Sequence, residues 1–233
     1  LMLDVNDFLA HVGSVRDESW ALAEQDGFET VGLAEAAARA DILMLLVPDE
    51  VQREVYQRDL APGLRSGQAL SFAHGYNIRY GLIQAPAGVD VILVAPRMIG
   101  INVRNSFLAG GGVPAYVAVA QDATGRALAR ALALAKGIGA TRAGVIECTF
   151  QQETDLDLFT EQGLWPFIMK VFHQAYDFLV ESGLPAEMVA LEMYGSGEAA
   201  EVFRQMARTG FYRQLAFHSH TSQYGQLSRM ERV

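Results

Sequence analysis

Short apolar segments alternate with helix-prone segments through residues 18–136, and this alternation limits the folds that the chain can adopt. Segments 42–47, 69–73, 89–95 and 116–120 are largely apolar and suit buried strands, and residues 28–31 suit a short strand. Segments 33–40 and 125–136 are rich in alanine and leucine. Parallel strands need helical crossovers and are buried on both faces, so they read as apolar runs. The pattern therefore predicts an α/β domain whose parallel sheet is covered by helices on both faces.

The second part of the sequence is helical. From Asp155 onward strand-like runs nearly disappear, and residues 164–181 are apolar at helical spacing before Ser182 and Gly183. A further helix is predicted to begin near Pro185 and to run toward Arg208. We therefore expect an α/β domain over residues 1–146, followed by an all-α domain over residues 147–233.

The composition excludes several classes of protein. Of the 233 residues, 51% are hydrophobic and 19% are charged, as in a globular protein with a sizeable core. The net charge of −9 argues against a nucleic-acid partner. The single cysteine, Cys148, excludes internal disulfides and fits a reducing cytoplasm. The longest apolar run, residues 42–47, is too short to span a bilayer, and no signal peptide is visible, so we expect no membrane partner.

Three candidate ligand-binding positions follow predicted strands. In parallel sheets ligands gather at the carboxyl ends of the strands, where Pro48, His74 and Arg97 lie. A lone histidine after a strand is often only a turn residue, but Gly75 gives the backbone room for close approach to a ligand. The glycines at 110–112 lack a following Lys-Ser/Thr, so they are interpreted as a flexible turn and not as a phosphate loop.

The stretch 141–162 changes from apolar to acidic, with carboxylates at Glu153, Asp155, Asp157 and Glu161. On a helix Asp157 and Glu161 lie on one face, where they repel each other unless a cation or proton separates them. Carboxylate oxygens suit Mg²⁺. The alternative is a solvated acidic helix start, because acidic residues are favourable in a first turn.

Two further acids lie in the helical part of the sequence. Glu192 and Glu198 are six residues apart, which places them on different faces of an ideal helix. The glycine-rich segment 195–197 between them could break the helix and turn both inward. Residues 218–225 follow as a polar turn rich in hydroxyl groups.

A Gly-x-Gly-x-x-Gly dinucleotide loop is not present in the sequence. Residues 11–17 instead resemble the end of a second strand of a Rossmann-like domain and the loop after it. At that position a carboxylate can bind the adenosine ribose and an arginine can bind a 2′-phosphate. Arg16 and Ser19 could bind a 2′-phosphate, whereas Asp17 repels one, so NADH is slightly favoured over NADPH. We expect residues flanking the given sequence to supply the glycine loop and further helices.

The motifs ADILMLLVPDEVQ, LSFAHGYNI, VDVILVAPRMIG, GGGVPAYVAVAQDATG, ETDLDLFTEQ and TSQYG occur in this order. Together they resemble ketol-acid reductoisomerase of the short, class I form, over nearly the whole sequence. The resemblance implies a Rossmann-like parallel-sheet domain followed by an all-α domain. It also implies two Mg²⁺ ions, NADH or NADPH, a 2-acetohydroxy acid substrate, and a homo-oligomer, at least a dimer, whose subunits share the active site.

The resemblance implies roles for individual residues. Asp157 and Glu161 match the two metal-binding acids, with Asp157 bridging both ions. Glu192 matches the first of two later glutamates, which bind metal or substrate and move a proton. The usual spacing of four would place the second at Ser196, so Glu198 takes that role only with a local insertion at residues 195–197. His74 matches an active-site residue that also contacts the cofactor, and Ser219 and Arg97 match residues that bind the substrate. The residues implied to bind the cofactor are Arg16, Asp17, Ser19 and Pro48.

The motif around Arg97 departs from the resemblance. Most members have Pro-Lys-Gly-Pro-Gly-His where this chain has PRMIGI, which we interpret as a sub-branch. Arginine and lysine are not interchangeable at a tight site. Two alternatives stay open: a paralogue that kept the fold with altered or lost catalysis, and a simple hydroxyacid dehydrogenase without an isomerase step. The four acids argue against the second, because hydride transfer needs no metal pair.

Overall fold

The structure is a computed structural model that describes residues 10–231. The chain divides into two compact units, one ending at Phe159 and the other beginning at Thr160. The boundary lies after the acidic helix Phe150–Leu158, because that helix packs against elements of the first unit. The functional boundary between residues 146 and 147 stays a prediction.

The first unit is an α/β domain. Strands β1 (His11–Gly13) and β2 (Glu29–Val31) form a parallel pair. A five-stranded sheet has the order β3 (Ile42–Leu45), β4 (Ala69–Phe72), β5 (Asp90–Pro96), β6 (Ala115–Gln121) and β7 (Val145–Glu147). Its helices are α1 (Glu18–Gln25), α2 (Leu33–Arg39), α3 (Asp49–Val55), α4 (Tyr76–Arg79), α5 (Gly100–Leu108), α6 (Ala127–Gly137) and α7 (Phe150–Leu158).

The Rossmann-like parallel arrangement is confirmed for β3, β4 and β5, but β6 runs antiparallel to β5. The chain leaves β5 at Pro96 and enters β6 at Ala115, and these two residues pair directly. The intervening segment, which contains the unpredicted helix α5, therefore returns to the same edge of the sheet. A strand parallel to β5 would instead require a crossover back to the end of the sheet at which β5 begins.

The core lies on both faces of the sheet, as the apolar strands predict. Alternate residues of β5 belong to two different clusters: Val91 and Leu93 to one, Ile92 and Val94 to the other. The second cluster is closed by α6, whose buried alanines Ala127, Ala131 and Ala135 recur every four residues. Their small side chains allow the helix to approach the strands closely.

The turn at residues 110–112, which the sequence suggested to be flexible, is restricted by packing. A Cβ atom added to Gly112 would lie 2.0 Å from the carbonyl oxygen of Gly139. No side chain larger than hydrogen fits between these two backbones, so this glycine is required by packing and not by flexibility.

The second unit is helical. It contains α8 (Trp165–Glu181), α9 (Ala186–Ala190), α10 (Glu198–Thr209) and α11 (His220–Met230). The prediction of α8 is confirmed, and it ends at Ser182 as expected. The prediction of one continuous helix from Pro185 is wrong, but the break suggested at residues 195–197 is confirmed, because a π-helical turn (Leu191–Gly195) and Gly197, at φ 81°, separate α9 from α10.

The polar turn predicted at residues 218–225 is also wrong. Ser219 is the N-cap of α11, and its hydroxyl accepts a hydrogen bond from the backbone N–H of Ser222 at 3.3 Å. The hydroxyl-rich segment therefore begins a helix. Over residues 10–231, no helix is both long enough and apolar enough to cross a membrane.

Candidate active site

The parallel strands β3, β4 and β5 bring three polar side chains to one edge of the sheet. Leu45 is in register with Phe72, and Phe72 with Leu93, so the carboxyl ends of these strands lie side by side. Asp49 begins the helix after β3, His74 follows β4, and Arg97 follows β5. The backbone N–H of Arg97 donates to the carbonyl of Pro114 at 2.8 Å, which fixes where its side chain starts.

Helix α7 adds two carboxylates to this edge, Glu153 and Asp157. A capping box fixes the start of the helix: Thr149 accepts from the backbone N–H of Gln152, and the Gln152 side chain accepts from the backbone N–H of Thr149. Glu153 and Asp157 are one helical turn apart, and so they reach the same group of side chains.

Glu153 is the centre of the cluster. Its side chain is fully buried, Oε2 accepts from the backbone N–H of Gly75 at 2.9 Å, and Oε1 accepts from the Arg97 guanidinium at 3.0 Å. Nδ1 of His74 lies 3.2 Å from the same Oε1. Because a carboxylate only accepts hydrogen bonds, this contact favours the proton on Nδ1 of His74.

The environment shifts the protonation of both partners. Burial alone would raise the pKa of Glu153, but the hydrogen bond and charge of His74, the Gly75 N–H and the charge of Arg97 hold that pKa below its ordinary value. The hydrogen bond to Glu153, together with the nearby charges of Asp49 and Asp157, raises the pKa of His74 despite its partial burial. The pair therefore favours a charged imidazolium beside a carboxylate.

Gly75 leaves room for a neighbouring group to approach the backbone closely, as predicted. The group that approaches is helix α7 and not a ligand. A Cβ atom at this position would lie 2.4 Å from the Thr154 hydroxyl oxygen and 3.0 Å from the carbonyl oxygen of Phe150. The glycine lets the turn after β4 pack directly on α7, which is what allows its N–H to reach Glu153.

Both carboxylate oxygens of Asp157 face positive or donor groups. Oδ1 accepts a short hydrogen bond from the Arg97 guanidinium, and Oδ2 lies 3.6 Å from Nδ1 of His74. Arg97 also lies 5.1 Å from the centroid of the Tyr116 ring, over its face. Although partial burial opposes the charge, Asp157 and Glu153 raise the pKa of Arg97, which therefore stays charged.

Two members of the cluster, Glu153 and Asp49, are absent from the predicted set of site residues. Oδ2 of Asp49 lies 4.0 Å from Nε2 of His74, and burial raises the pKa of this carboxyl. The sequence contains a signal for each: Glu153 is four residues before Asp157, and Asp49 directly follows a strand at the edge where ligands gather.

The other predicted acids and Ser219 lie in the second unit. Glu161 is exposed in the π-helical turn Phe159–Leu164, and Glu192 is exposed in the turn Leu191–Gly195. Glu198 is the first residue of α10. Two of these acids thus lie in π-helical turns, which occur often at functional sites.

The predicted cofactor residues lie at two places in the first unit. Asp17 is the N-cap of α1, and its Oδ1 accepts from the backbone N–H groups of Ser19 at 3.0 Å and Trp20 at 3.2 Å. Arg16 lies over the Trp20 ring, 5.1 Å from the centroid. Pro48 is the N-cap of α3, beside Asp49.

The donor set of the cluster suits a hard cation. One ligand atom each from His74, Glu153 and Asp157 lie within 4.8 Å of one another. Glu153 is fully buried and already committed to Gly75, His74 and Arg97, so of the two carboxylates on α7 the less buried Asp157 is the better placed to take a metal ion. Carboxylate oxygen is the ligand that Mg²⁺ prefers.

Comparisons with known proteins agree on one family. The model of the acetohydroxy acid isomeroreductase NADPH-binding domain matches residues 4–144, and that of the ketol-acid reductoisomerase C-terminal domain matches residues 150–233. A ketol-acid reductoisomerase (NADP(+)) of Pyrobaculum islandicum is 48% identical over 90% of this chain and 63% of its own length. One from Pyrobaculum aerophilum is 45% identical over 93% of this chain and 66% of its own.

A solved structure agrees with these matches. An NADH-preferring ketol-acid reductoisomerase from an uncultured archean superimposes with a TM-score of 0.86 and 38% identity, over 93% of this chain and 65% of the other. The chain thus spans slightly less than two thirds of these proteins.

Proposed function

The chain belongs to the ketol-acid reductoisomerase family, and from this premise we propose that it acts on 2-acetohydroxy acids such as 2-acetolactate and 2-aceto-2-hydroxybutyrate. The proposed reaction is an Mg²⁺-dependent alkyl migration followed by reduction with NADH or NADPH to the 2,3-dihydroxy acid, a step of branched-chain amino-acid biosynthesis. The observation that carries the proposal is the cluster of His74, Arg97, Glu153 and Asp157 at the carboxyl edge of three parallel strands.

The metal would be held by carboxylates. We assign Asp157 and Glu161 to two Mg²⁺ ions, with Glu192 and Glu198 completing the set, and these assignments rest on the family motif. Bound Mg²⁺ would act as a Lewis acid on the adjacent substrate oxygens between which charge moves during the migration.

The protein's own groups would orient the substrate and move protons. Glu153 holds the imidazole of His74 through Nδ1, which leaves Nε2 to donate to, or accept from, a substrate oxygen. Arg97 supplies a fixed positive charge for an oxyanion, and Ser219 would bind the substrate carboxylate. Glu198 would accept the proton of the substrate hydroxyl group, whose oxygen becomes the new carbonyl oxygen as the alkyl group moves to the adjacent carbon.

The cofactor would lie against Pro48 and His74, with its adenosine end near Arg16, Asp17 and Ser19. NAD(P)H supplies the hydride, and the protein's part is to position it. We propose a preference for NADH, because the Asp17 carboxylate repels a 2′-phosphate. The similar archaean structure is of an NADH-preferring enzyme, whereas the Pyrobaculum relatives carry NADP(+) in their names.

We further propose that the chain acts as a homo-oligomer, at least a dimer with shared active sites. Helix α8 leaves large apolar side chains exposed, including Phe167, Val171 and Phe178, as a subunit interface would require. The cytoplasmic location stays a proposal, supported by the single cysteine, Cys148.

The decisive experiment is the consumption of 2-acetolactate with NADH and with NADPH, each with and without Mg²⁺. We expect Mg²⁺-dependent turnover that Asp157→Asn abolishes, while Asp155→Asn, an exposed acid on the same helix, retains it. A folded, full-length gene product without turnover in any combination would favour the altered paralogue, and turnover of a 2-keto acid without Mg²⁺ would favour a simple dehydrogenase. The contact of Arg97 with the proposed metal ligand is the observation that keeps the paralogue open.

A further inference from the structure

Arg97 and a metal ion need the same oxygen. The guanidinium contacts Oδ1 of Asp157, the carboxylate proposed to hold Mg²⁺, and an oxygen that accepts from a guanidinium is not open to a metal ion. Oδ2 of Asp157 lies 3.6 Å from Nδ1 of His74. Arg97 is therefore the side chain that a metal ion at Oδ1 would have to displace.

The charge of Arg97 leads to the same conflict. The guanidinium lies against the carboxylates of both Glu153 and Asp157. A divalent cation that binds Asp157 therefore meets a like charge until the guanidinium withdraws.

Arg97 has contacts that it can keep when it leaves Asp157. Oε1 of the fully buried Glu153 accepts from Nη1 at 3.0 Å, whereas Asp157 is reached by Nη2. The Tyr116 ring lies under the guanidinium, and the backbone N–H of Arg97 is fixed by Pro114. A small rotation would break the Asp157 contact alone.

We propose that Arg97 is a latch on the metal site: its guanidinium occupies Oδ1 of Asp157 in the metal-free protein, and Mg²⁺ binds only by displacing it onto Glu153 and Tyr116. This inference rests on the proposed metal site and adds a residue that sets the metal affinity of this chain. The released guanidinium would then be free to bind a substrate oxyanion beside the metal.

The test is Mg²⁺ affinity, measured by isothermal titration calorimetry on the protein without substrate or cofactor. Arg97→Lys keeps the charge but loses the planar fork that gives Nη1 to Glu153 and Nη2 to Asp157, so its one ammonium nitrogen holds the two carboxylates less firmly. We expect Mg²⁺ binding about threefold tighter or more in Arg97→Lys, and about tenfold tighter in Arg97→Gln, the size of a part-buried ion pair. Arg79→Gln is the matched control, because Arg79 pairs with Asp155 on the same helix, outside the cluster.

A second measurement follows the displacement itself. The side-chain Nε–H resonance of Arg97, identified by its loss in Arg97→Lys, should shift when Mg²⁺ saturates the protein, while that of Arg79 stays in place. If Arg97→Gln does not fold, the Mg²⁺ affinity of Arg97→Lys and the shift of the Arg97 resonance still test the proposal.

Each outcome decides the proposal. If Arg97→Lys binds Mg²⁺ with the affinity of the wild type, the latch is overturned, even if Arg97→Gln binds Mg²⁺ more tightly. Loss of the positive charge at position 97 would then explain the tighter binding by itself. An Arg97 resonance that stays unchanged at saturation also overturns it. In both cases Mg²⁺-dependent turnover would leave the proposed function intact. Failure of the wild type and of both Arg97 variants to bind Mg²⁺ would overturn the latch together with the metal site.

Discussion

Oε1 of Glu153 lies 3.2 Å from Nδ1 of His74, although the two residues are 79 positions apart in the sequence. The carboxylate is fully buried, so its position is set by α7 and by the backbone N–H of Gly75 rather than by solvent. His74 is consequently held at one ring nitrogen and free to act at the other. Glu153 is a positioning residue, because it acts through His74 and Arg97.

Replacing Glu153 by glutamine removes this charge at nearly constant size. Because the hydrogen bond and charge of Glu153 raise the pKa of His74, we expect that pKa to fall in Glu153→Gln. A titration of the histidine ring protons by NMR, with His74→Asn to identify the resonance, measures the shift. We also expect kcat to fall by about ten- to a hundredfold, as for other groups that orient an active-site ligand.

A structural role for Glu153 alone would give a different result. Activity would then fall together with thermal stability, and the ring protons of His74 would titrate as in the wild type. That combination would contradict the positioning role.

The glycine in the turn before α4 is required by packing. In Gly75→Ala the new methyl group would lie 2.4 Å from the Thr154 hydroxyl oxygen and 3.1 Å from Oε2 of Glu153, both on a fixed helix. We expect a loss of about 1–3 kcal/mol in the free energy of unfolding, as for other overpacked cores. Urea denaturation measures it.

Gly100 provides the matched control for Gly75. It is the first residue of α5, and a Cβ atom there would meet no atom within 4 Å. We expect Gly100→Ala to be neutral or slightly stabilising, because it reduces the freedom of the unfolded chain. Equal losses in the two variants would mean that the contact with α7 is not the cause.

Asp90 makes the stability of the first unit depend on pH. Its buried carboxylate accepts from the hydroxyl and backbone N–H of Thr124, from the backbone N–H of Ala123 and from Arg130 at 2.8 Å. Burial opposes the charge, but these hydrogen bonds and the charge of Arg130 hold the pKa of Asp90 below its ordinary value.

The lowered pKa of Asp90 determines how stability changes with pH. The unfolded state binds the proton first as pH falls, so the contribution of Asp90 is fully present above its ordinary pKa of about 4 and is lost as pH falls through the folded value. We expect Asp90→Asn to cost about 3 kcal/mol near neutral pH, because it leaves the partly buried Arg130 guanidinium unpaired, and much less at acid pH. Urea denaturation as a function of pH measures both, and a pH-independent loss would contradict the assignment.

The sequence predicted the strands of the five-stranded sheet because they are largely apolar runs, and that placed His74 and Arg97 correctly at the strand ends. It also predicted α8, whose apolar residues recur at helical spacing. The reversed direction of β6 was not predictable, because it depends on how α5 and the turn at Gly112 return the chain to one edge of the sheet. Glu153 was missed as a site residue for a related reason: its position four residues before Asp157 indicates a shared helix face, but its role depends on packing against Gly75, which that spacing does not show.

The N-cap of α1 offers a test of cofactor selection that separates charge from stability. Asp17 caps the helix through hydrogen bonds from Ser19 and Trp20, and we propose that its charge repels a 2′-phosphate. Asparagine caps a helix nearly as well as aspartate, so Asp17→Asn should keep the melting temperature while raising kcat/KM for NADPH relative to NADH. Asp17→Ala removes the charge and the cap, and should therefore show the same change in preference with a loss of about 1 kcal/mol in stability. If only Asp17→Ala changed the preference, the geometry of the loop, and not the carboxylate charge, would select the cofactor.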